Sequence, residues 1–389
     1  MPTNVTAEYL AAEEEYRNAR TIPEKIRALE KMYATVPKHK GTEKLRLQIK
    51  RKLSELRKEL EKQRQLQKKG SGGYSFSVKK EGAAQIVLVG LPNVGKSSLM
   101  KRLTNVEADV ADYAFTTVEP IPGMMHYRDV QIQLVEVPGL VEGASLGKGM
   151  GTQLLSVIRN ADAVAIVVDL SKDSIKQMNL LLREFERAGI KVNRRRPRVE
   201  IKRTSSGGII INGVENIQGD VGEVMKMLRE ERIHSAEVTV KEPVTLEEFA
   251  DALDDSLVWR RGVIIANKGD AAGSRENYER LVRNYGERFR IIPVSARRGV
   301  NLDELRETLY DLAGIIRVFT KSPGEDPAYP PIAMKRGSTV LDVAKKVHKE
   351  FARNFRYARV WGKSVKFPGQ RVGADHVLED GDVVEIHIR

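Results

Sequence analysis

The stretch Gly90-Leu-Pro-Asn-Val-Gly-Lys-Ser97 follows the apolar run Gln85-Ile-Val-Leu-Val89 without a break. Its two glycines, separated by four residues and followed by Lys and Ser, match the G-x-x-x-x-G-K-[ST] pattern of a phosphate-binding loop. A helical stretch, Ser98–Leu103, comes next, so the helix N-terminus would face bound phosphates. In such a loop Lys96 brings positive charge to the β- and γ-phosphates, and Ser97 offers its hydroxyl to Mg²⁺. The stretch therefore predicts a strand, a phosphate loop and a helix around a nucleotide.

The chain around this loop is typical of an α/β protein with a mainly parallel sheet and helices on both faces. Apolar, β-branched runs alternate with helical stretches at Ile86–Val89, Val130–Val135, Ala163–Val168, Val263–Ala266 and Arg290–Val294. We assign residues 84–320 to this P-loop domain and residues 172–243 to an α+β insertion within it. In the insertion, Val199–Lys202 and Ile209–Ile211 flank Ser205-Ser-Gly-Gly208, which predicts a hairpin.

The segments on either side predict two further domains. Residues 1–69 are rich in Glu, Lys, Arg and Leu, with apolar residues every three or four positions from Leu45 to Leu60, which indicates a helical hairpin or small bundle. Thr21 followed by Glu24 predicts a capped helix start. Residues 321–389 suit a small β-grasp fold. In it we expect a helix at Thr339–Phe351 and strands at Tyr357–Trp361, Val365–Phe367 and Val383–Ile388.

Composition limits the classes of function. The 389 residues carry 66 Lys and Arg against 53 Asp and Glu, a formal charge of +13 that would attract phosphate backbones. The absence of cysteine excludes disulfides and thiolate metal sites. The longest apolar run falls far short of the roughly 20 residues that cross a bilayer, and the start has no signal pattern. We expect a cytoplasmic protein with no membrane partner.

Two groups of basic residues each have two interpretations. On the long helix, and at Arg194-Arg-Arg196, the cations form either a solvated face or an RNA-contacting face. The helix residues are Lys50, Arg51, Arg57, Lys58 and Arg64.

The stretch Asn267-Lys268-Gly269-Asp270 predicts that the base is guanine. It follows the strand Val263–Ala266, at the end where open parallel sheets bind ligands. The Asp270 carboxylate can accept hydrogen bonds from guanine N1–H and N2–H₂, whereas adenine offers no such pair of donors. Asn267 would support the loop, and the methylenes of Lys268 would lie over the ring.

Three shorter signals follow in the order that a nucleotide switch requires. Thr116-Thr117 can complete the Mg²⁺ shell when a γ-phosphate is present. Glu136-Val-Pro-Gly139 ends a strand, and its Gly139 N–H can sense the same phosphate. Farther along, Ser295 and Ala296 are small enough for backbone N–H groups to approach the base carbonyl.

As a set, these motifs resemble those of the developmentally regulated GTP-binding proteins of the Obg-like family. The resemblance rests on GLPNVGKS, FTTVEP, EVPG, NKGD and SA, in this order. It also rests on the ending YARVWGKSVKFPGQRVGADHVLEDGDVVEIHIR, which is similar to a TGS domain, a β-grasp module. The resemblance runs nearly end to end and implies a GTPase linked to ribosomes and translation.

The resemblance also implies roles for individual residues. It gives catalytic roles to Lys96, Thr117, Gly139 and Asn93, and Mg²⁺-binding roles to Ser97, Thr117 and Glu136. The nucleotide would contact Gly90, Leu91, Pro92, Asn93, Val94, Gly95, Lys96, Ser97, Ser98, Pro138, Gly139, Asn267, Lys268, Asp270, Ser295 and Ala296. Asn93 is similar to the asparagine by which some relatives hold K⁺ beside the phosphates. GTP or GDP, Mg²⁺ and K⁺ are therefore the expected cofactors.

The sequence departs from the usual pattern at two positions. Glu136 stands where the metal-proximal acid is normally Asp, and Leu140 stands where many small GTPases have a water-orienting Gln. Leu140 cannot orient water, so we expect slow intrinsic hydrolysis, on the order of 10⁻⁴ to 10⁻² s⁻¹, and faster turnover in K⁺ than in Na⁺.

The function itself has alternatives. The first is a GTP-hydrolysing switch whose partners are the ribosome or rRNA, with a protein cofactor as a further candidate partner and no DNA. The second is a basic RNA-binding protein in which the nucleotide is mainly structural. A third, an ATPase, requires that Asp270 does not read guanine.

Overall fold

The computed structural model describes residues 6–19, 21–37, 40–70, 78–104, 119–146 and 151–388. The chain divides into two compact units. We name them the N-terminal unit (residues 1–75 and 186–259) and the P-loop unit (residues 76–185 and 260–389). The domain boundaries expected from the sequence stay predictions, but residues 1–69 and most of the expected insertion lie together in one unit.

The secondary structure alternates through most of the chain. The helices are α1 (Ala7–Asn18), α2 (Ile22–Thr35), α3 (Glu43–Gly70), α4 (Lys96–Leu103), α5 (Gly151–Asn160), α6 (Ser174–Arg187), α7 (Val221–Glu230), α8 (Leu246–Leu253), α9 (Ser274–Tyr285), α10 (Leu302–Ala313), α11 (Val340–Val347) and α12 (Lys349–Arg353). The strands are β1 (Ala84–Val89), β2 (Ile121–Tyr127), β3 (Val130–Glu136), β4 (Ala163–Asp169), β5 (Ile190–Val192), β6 (Val199–Arg203), β7 (Ile209–Asn212), β8 (Ile217–Gln218), β9 (Ala236–Val240), β10 (Val244–Thr245), β11 (Val258–Asn267), β12 (Arg290–Pro293), β13 (Ile315–Thr320), β14 (Ile332–Lys335), β15 (Phe355–Trp361), β16 (Gln370–Val372) and β17 (Asp382–Ile388).

The central sheet of the P-loop unit confirms the predicted α/β class. Six of its seven strands lie in the order β12-β11-β4-β1-β3-β2, and the pairs along this path are parallel except β2 with β3. All residues of β1 and β4 are buried, as expected for strands covered by helices on both faces. β2 was not predicted, because Pro122 and Gly123 near its start interrupt the apolar pattern.

A second sheet in the same unit forms the C-terminal module, in the order β14-β13-β17-β15-β16. It includes β13, which precedes the boundary expected at residue 321. The predicted strand at Val365–Phe367 is wrong: residues 362–369 turn, with Gly369 at φ +75°, and the edge strand β16 begins only at Gln370. The predicted helix from Thr339 is interrupted at His348, where α11 ends and α12 begins.

The turn between β2 and β3 is fastened to the C-terminal module. Both turn residues, Arg128 and Asp129, have positive φ, at 46° and 65°. The Tyr329 hydroxyl donates to Asp129 at 2.8 Å, and Arg317 lies 3.8 Å from the same carboxylate. Arg128 pairs with Glu307 of α10 at 2.9 Å. These contacts offset the strain of two left-handed non-glycine residues, which costs on the order of 1 kcal/mol or more each.

In the N-terminal unit, α1, α2 and α3 pack around their own core, and α2 begins with the predicted Thr21–Glu24 capping box. The hairpin predicted at residues 199–211 is wrong, because β6 and β7 do not pair with each other. Both pair with β9, β6 antiparallel and β7 parallel. The alternating residues Ala236, Val238 and Val240 make β9 the better-buried central strand, whereas both flanking strands keep polar, exposed positions.

The basic face of α3 is occupied inside this unit. Its cations pair with acids of α2, of the insertion and of α8, as Lys50–Asp251 at 3.1 Å, Arg51–Glu230 at 2.5 Å, Arg57–Glu30 at 3.3 Å and Lys58–Glu231 at 3.4 Å. The side chain of Arg64 lies outside the described residues. Lys50, Arg51 and Arg57 are therefore mostly covered by these pairs, whereas Lys58 stays partly exposed, and the choice between a solvated face and an RNA face stays a prediction. The acids lie far away in sequence, so no local pattern could reveal them.

The second basic group is also partly engaged. Arg195 donates to Glu242 at 2.9 Å, and the Arg196 guanidinium lies 5.3 Å from the centre of the Trp259 ring. Arg194 is exposed.

Among the described residues, no helix combines the length and apolarity that a membrane span requires.

Leu47 of α3 lies in the core of the insertion segment, so the substitution Leu47→Ala tests whether this packing supports the N-terminal unit. We expect the unit to lose about 2–5 kcal/mol of unfolding free energy. The chain has two tryptophans, and in a Trp361→Phe background Trp259 reports urea unfolding of this unit by fluorescence. The exposed neighbour Gln48→Ala is the matched control, and equal unfolding midpoints for the two variants would contradict the packing.

Candidate nucleotide site

The predicted motifs lie at the carboxyl ends of four parallel strands of the central sheet. The phosphate loop follows β1, Glu136–Gly139 follows β3, Asn267–Asp270 follows β11, and Ser295 follows β12. This edge is where open α/β sheets bind ligands. Thr117, predicted to complete the Mg²⁺ shell, and its neighbour Thr116 lie outside the described residues.

Glycines let the phosphate loop fit against its neighbours. Gly95 is the N-cap of α4 and has φ +94°, which favours glycine. A Cβ on Gly95 would lie 2.3 Å from the Asn267 Nδ2 atom, so the small residue also lets Asn267 approach the loop. A Cβ on Gly90 would lie 2.4 Å from the carbonyl oxygen of Val167 in β4. Both loop glycines are therefore required by geometry.

Lys96 lies at the base of this loop. Its ammonium donates to the carbonyl oxygens of Leu91 and Gly90 at 3.2 and 3.4 Å. Burial lowers the pKa of Lys96 to about 8, against the opposing effect of the Glu136 charge. The charge of Lys96 is therefore costly to hold in the bare loop, and an anion beside it would favour the protonated form.

The Ser97 hydroxyl donates to the Glu136 carboxylate at 2.6 Å. With its proton directed at Glu136, the Ser97 oxygen has a lone pair left for a cation. Burial raises the pKa of Glu136, while the Ser97 hydrogen bond and the Lys96 charge act in the opposite direction. The longer side chain of Glu136 thus still reaches the residue that is expected to bind Mg²⁺. Hard oxygen ligands of this kind suit Mg²⁺.

The α4 N-terminus supplies the other half of a phosphate site. Its N-cap, Gly95, offers no side-chain hydrogen bond to the first turn. The N–H groups of that first turn and the buried Lys96 ammonium are the donors that phosphate oxygens require. The residues present therefore fit a nucleotide with its Mg²⁺.

The segment after β3 is held against the phosphate loop. A Cβ on Gly139 would lie 2.6 Å from the backbone nitrogen of Pro92, so only glycine fits there. The Leu140 N–H donates to the Gly90 carbonyl at 3.1 Å, and the Leu140 side chain is fully buried. Pro138 and Gly139 are thus adjacent to the loop, whereas the side chain of Leu140 points into the core.

Asn267 and Lys268 bind the backbone of the phosphate loop. Asn267 Nδ2 donates to Val94 O at 2.9 Å, and Lys268 Nζ donates to Asn93 O at 2.8 Å. Lys268 also pairs with Asp169 at 2.6 Å. Burial would raise the pKa of Asp169, but hydrogen bonds from Lys268 and Ser171 outweigh it and lower the pKa.

Asp169 was missed as a site residue. Its available signal was an acid placed directly at the end of the apolar run Ala163–Val168, at the ligand-binding edge of the sheet.

Asp270 is held by the loop after β12. The Ser295 hydroxyl donates to Asp270 at 2.6 Å, and this hydrogen bond lowers the pKa of Asp270, which stays ionised as an acceptor. The sequence predicted that Ser295 and Ala296 are small enough for backbone N–H groups to approach the base carbonyl. In this structure both have protein acceptors: Ser295 N–H donates to Val300 O at 3.3 Å, and Ala296 N–H to Asn267 Oδ1 at 3.1 Å.

Glu184 is a second residue that the sequence did not reveal. It lies in α6, is fully buried, and accepts hydrogen bonds from the Gly143 and Ser145 N–H groups at 3.0 and 2.7 Å. It therefore fixes the segment that follows Gly139. A single acid in an amphipathic helix carries no motif, so only the fold identifies it.

Comparison with protein-family models agrees with this geometry. A model described as "50S ribosome-binding GTPase" matches residues 85–200, and a model of the C-terminal region of that domain matches residues 206–314. A TGS domain model matches residues 316–388.

Individual relatives match nearly end to end. A GTP-binding protein of Methanocaldococcus jannaschii is 41% identical, over 95% of this chain and 93% of its own length. Developmentally-regulated GTP-binding protein 2 of Homo sapiens is 35% identical, over 94% of this chain and 99% of its own. The crystal structure of a GTP-binding protein from Pyrococcus horikoshii OT3 covers 78% of this chain and 100% of its own, with a TM-score of 0.44 and 21% identity. The chain belongs to the developmentally regulated GTP-binding proteins, a family of GTPases with a C-terminal TGS domain.

Proposed function

We propose that the protein is a Mg²⁺-dependent switch that hydrolyses GTP slowly and acts on ribosomes. The observation that carries the proposal is the set of contacts between Ser97 and Glu136, Asn267 and Val94, and Lys268 and Asn93. They join the phosphate loop, the segment Glu136–Gly139 after β3 and the loop Asn267–Asp270 after β11 at one sheet edge. A phosphate site alone would serve many nucleotides, but the addition of Asp270 favours guanine.

The residues divide the work of binding and hydrolysis. Lys96 and the first N–H groups of α4 would bind the β- and γ-phosphates. Ser97 would bind Mg²⁺ through its oxygen while its hydroxyl donates a hydrogen bond to Glu136. The metal ion would supply positive charge against the charge that develops on those phosphates. The Gly139 N–H would donate a hydrogen bond to the γ-phosphate. Release of that phosphate would free the segment around Gly139 up to Gly143 and Ser145, whose N–H groups are bound by Glu184.

Slow turnover follows from Leu140. Its side chain is buried and its N–H is bound to Gly90, so neither can orient an attacking water. K⁺ bound near the exposed Asn93 would stabilise charge between the β- and γ-phosphates, as an arginine finger does in other GTPases.

The ribosomal role rests on two supports. The family model that matches residues 85–200 is described as a ribosome-binding GTPase, and the chain carries a formal charge of +13. Since four cations of α3 are paired within the N-terminal unit, exposed cations such as Arg194 are the better candidates for RNA contact. The alternative, an RNA-binding protein with a structural nucleotide, predicts no turnover.

The first test compares phosphate release from GTP by the wild type and Lys96→Ala, each with and without ribosomes. We expect slow release by the wild type that excess GDP suppresses and excess ADP does not, and at least tenfold less by the variant, because the phosphates lose a buried charge. The exposed neighbour Lys101→Ala should behave as wild type. Absence of turnover in all conditions would favour the alternative, and suppression by ADP would favour an ATPase.

The second test uses the pKa of Lys96, which is about 8 before a nucleotide binds. GDP phosphates favour protonated Lys96, so binding takes up a proton, and GDP affinity is full below pH 8 and falls above it. We expect GDP to bind about tenfold more weakly at pH 9 than at pH 7, as measured by calorimetry.

The matched control for this test is Lys96→Arg, whose guanidinium stays charged at both pH values and which also accounts for titration of GDP itself. An equal pH dependence in the control and in the wild type would refute the role of Lys96 titration.

The third test concerns K⁺. Hydrolysis by the wild type should be faster in KCl than in NaCl at equal concentration, and Asn93→Ala should lose the difference because the cation loses a ligand. Asn284→Ala, an exposed asparagine on α9, is the control and should keep it. A full K⁺ response in Asn93→Ala would rule out this site.

A further inference from the structure

Arg102, in the last turn of α4, holds the backbone of the loop that follows β12. Its Nε donates to the Ala296 carbonyl at 3.1 Å, and its Nη2 donates to the Arg297 carbonyl at 3.1 Å. The forked guanidinium thus binds two consecutive peptide groups. Arg306 donates to the Arg102 carbonyl at 2.8 Å and so ties the end of α4 to α10.

The two carbonyls determine where the neighbouring N–H groups point. In a planar trans peptide the C=O and N–H groups point in opposite directions. With the Ala296 carbonyl directed at Arg102, the Arg297 N–H points away from it. In the same way the Arg297 carbonyl directs the Arg298 N–H away, and that group donates to the Ser295 hydroxyl at 3.1 Å.

The Arg297 N–H is the amide of this turn that is available to a ligand. Ala296 N–H donates to Asn267, and the Gly299 and Val300 N–H groups donate to the Ser295 carbonyl at 2.8 and 3.1 Å. Within the part of the chain that the structure describes, Arg297 N–H has no acceptor. It lies two residues from Ser295, whose hydroxyl binds Asp270.

Guanine chemistry suggests what this N–H would bind. O6 is adjacent to N1 on the edge that Asp270 is proposed to read, so a donor for O6 must lie close to Asp270. We propose that Arg102 is a positioning residue that aims the Arg297 N–H at the O6 atom of guanine. The inference rests on the proposed function, because it requires a guanine nucleotide in the site.

Lysine cannot replace Arg102 in this role. An ammonium is a single point of charge and cannot hold two carbonyls in a fixed plane as the guanidinium fork does. In Arg102→Lys the loop after Ser295 would keep its turn, but the Arg297 peptide would be free to rotate. The variant would therefore bind the C6 substituent of guanine less tightly, whereas Asp270 would still accept a hydrogen bond from the amino group at C2.

The test measures the affinities of the full-length protein for GDP, 6-thio-GDP, IDP and ADP by calorimetry. In 6-thio-GDP sulfur, a weak acceptor, replaces O6, and IDP lacks the amino group at C2. We expect the preference of the wild type for GDP over 6-thio-GDP to fall about fivefold in Arg102→Lys. The preference for GDP over IDP should not change. The control Lys101→Arg, the reciprocal exchange one residue earlier, should keep both preferences.

Other outcomes overturn the inference. If Arg102→Lys keeps the wild-type preference for GDP over 6-thio-GDP, Arg102 does not position the donor. If it loses both preferences equally, Arg102 supports the loop in general and has no specific role at O6. A wild type that binds ADP as tightly as GDP would refute guanine reading itself, which separates failure of the proposed function from failure of this inference.

Discussion

The Asn267 carboxamide joins the two halves of the candidate site. Its Nδ2 donates to Val94 in the phosphate loop, while its Oδ1 accepts from Ala296 in the base-side loop, at 2.9 and 3.1 Å. A buried amide that satisfies both its donor and its acceptor side fixes both loops at once. Gly95 makes this possible, because any side chain there would overlap Asn267. The spacing between the phosphate loop and the loop after β12 is thereby set within the protein itself.

Much of this arrangement could be predicted from the sequence. The α/β class followed from apolar runs such as Ala163–Val168, and the predicted site segments lie at one edge because parallel strands place their ends together. The motifs are local, and the steric and chemical demands of a phosphate loop leave few alternatives at Gly90, Gly95 and Lys96. Local rules with strong physical causes are the part that a single sequence can supply.

What the sequence could not reveal depends on contacts between distant segments. Glu184 gave no signal because its two donors are backbone N–H groups, which every residue carries. The strands β6 and β7 do not form the expected hairpin, because β9 lies between them and pairs with both. Burial of Val238 and its neighbours in β9 outweighed the turn-forming sequence. The cations of α3 are the clearest case. The net charge counts every ionised side chain, but it does not show which cations form ion pairs with acids such as Asp251 and which are free to attract a partner.

The fastening of the β2–β3 turn has a consequence for dissecting the molecule. β3 begins beside Asp129, which contacts Tyr329 and Arg317, and it ends at Glu136, which accepts a hydrogen bond from the Ser97 hydroxyl. Cutting the chain ahead of β13 would remove Tyr329 and Arg317 and so both restraints on Asp129, at one end of a strand whose other end contacts Ser97 of the phosphate loop. The TGS module therefore helps to hold β3, the strand that carries Glu136 into the candidate site, and a truncated P-loop domain lacks that support.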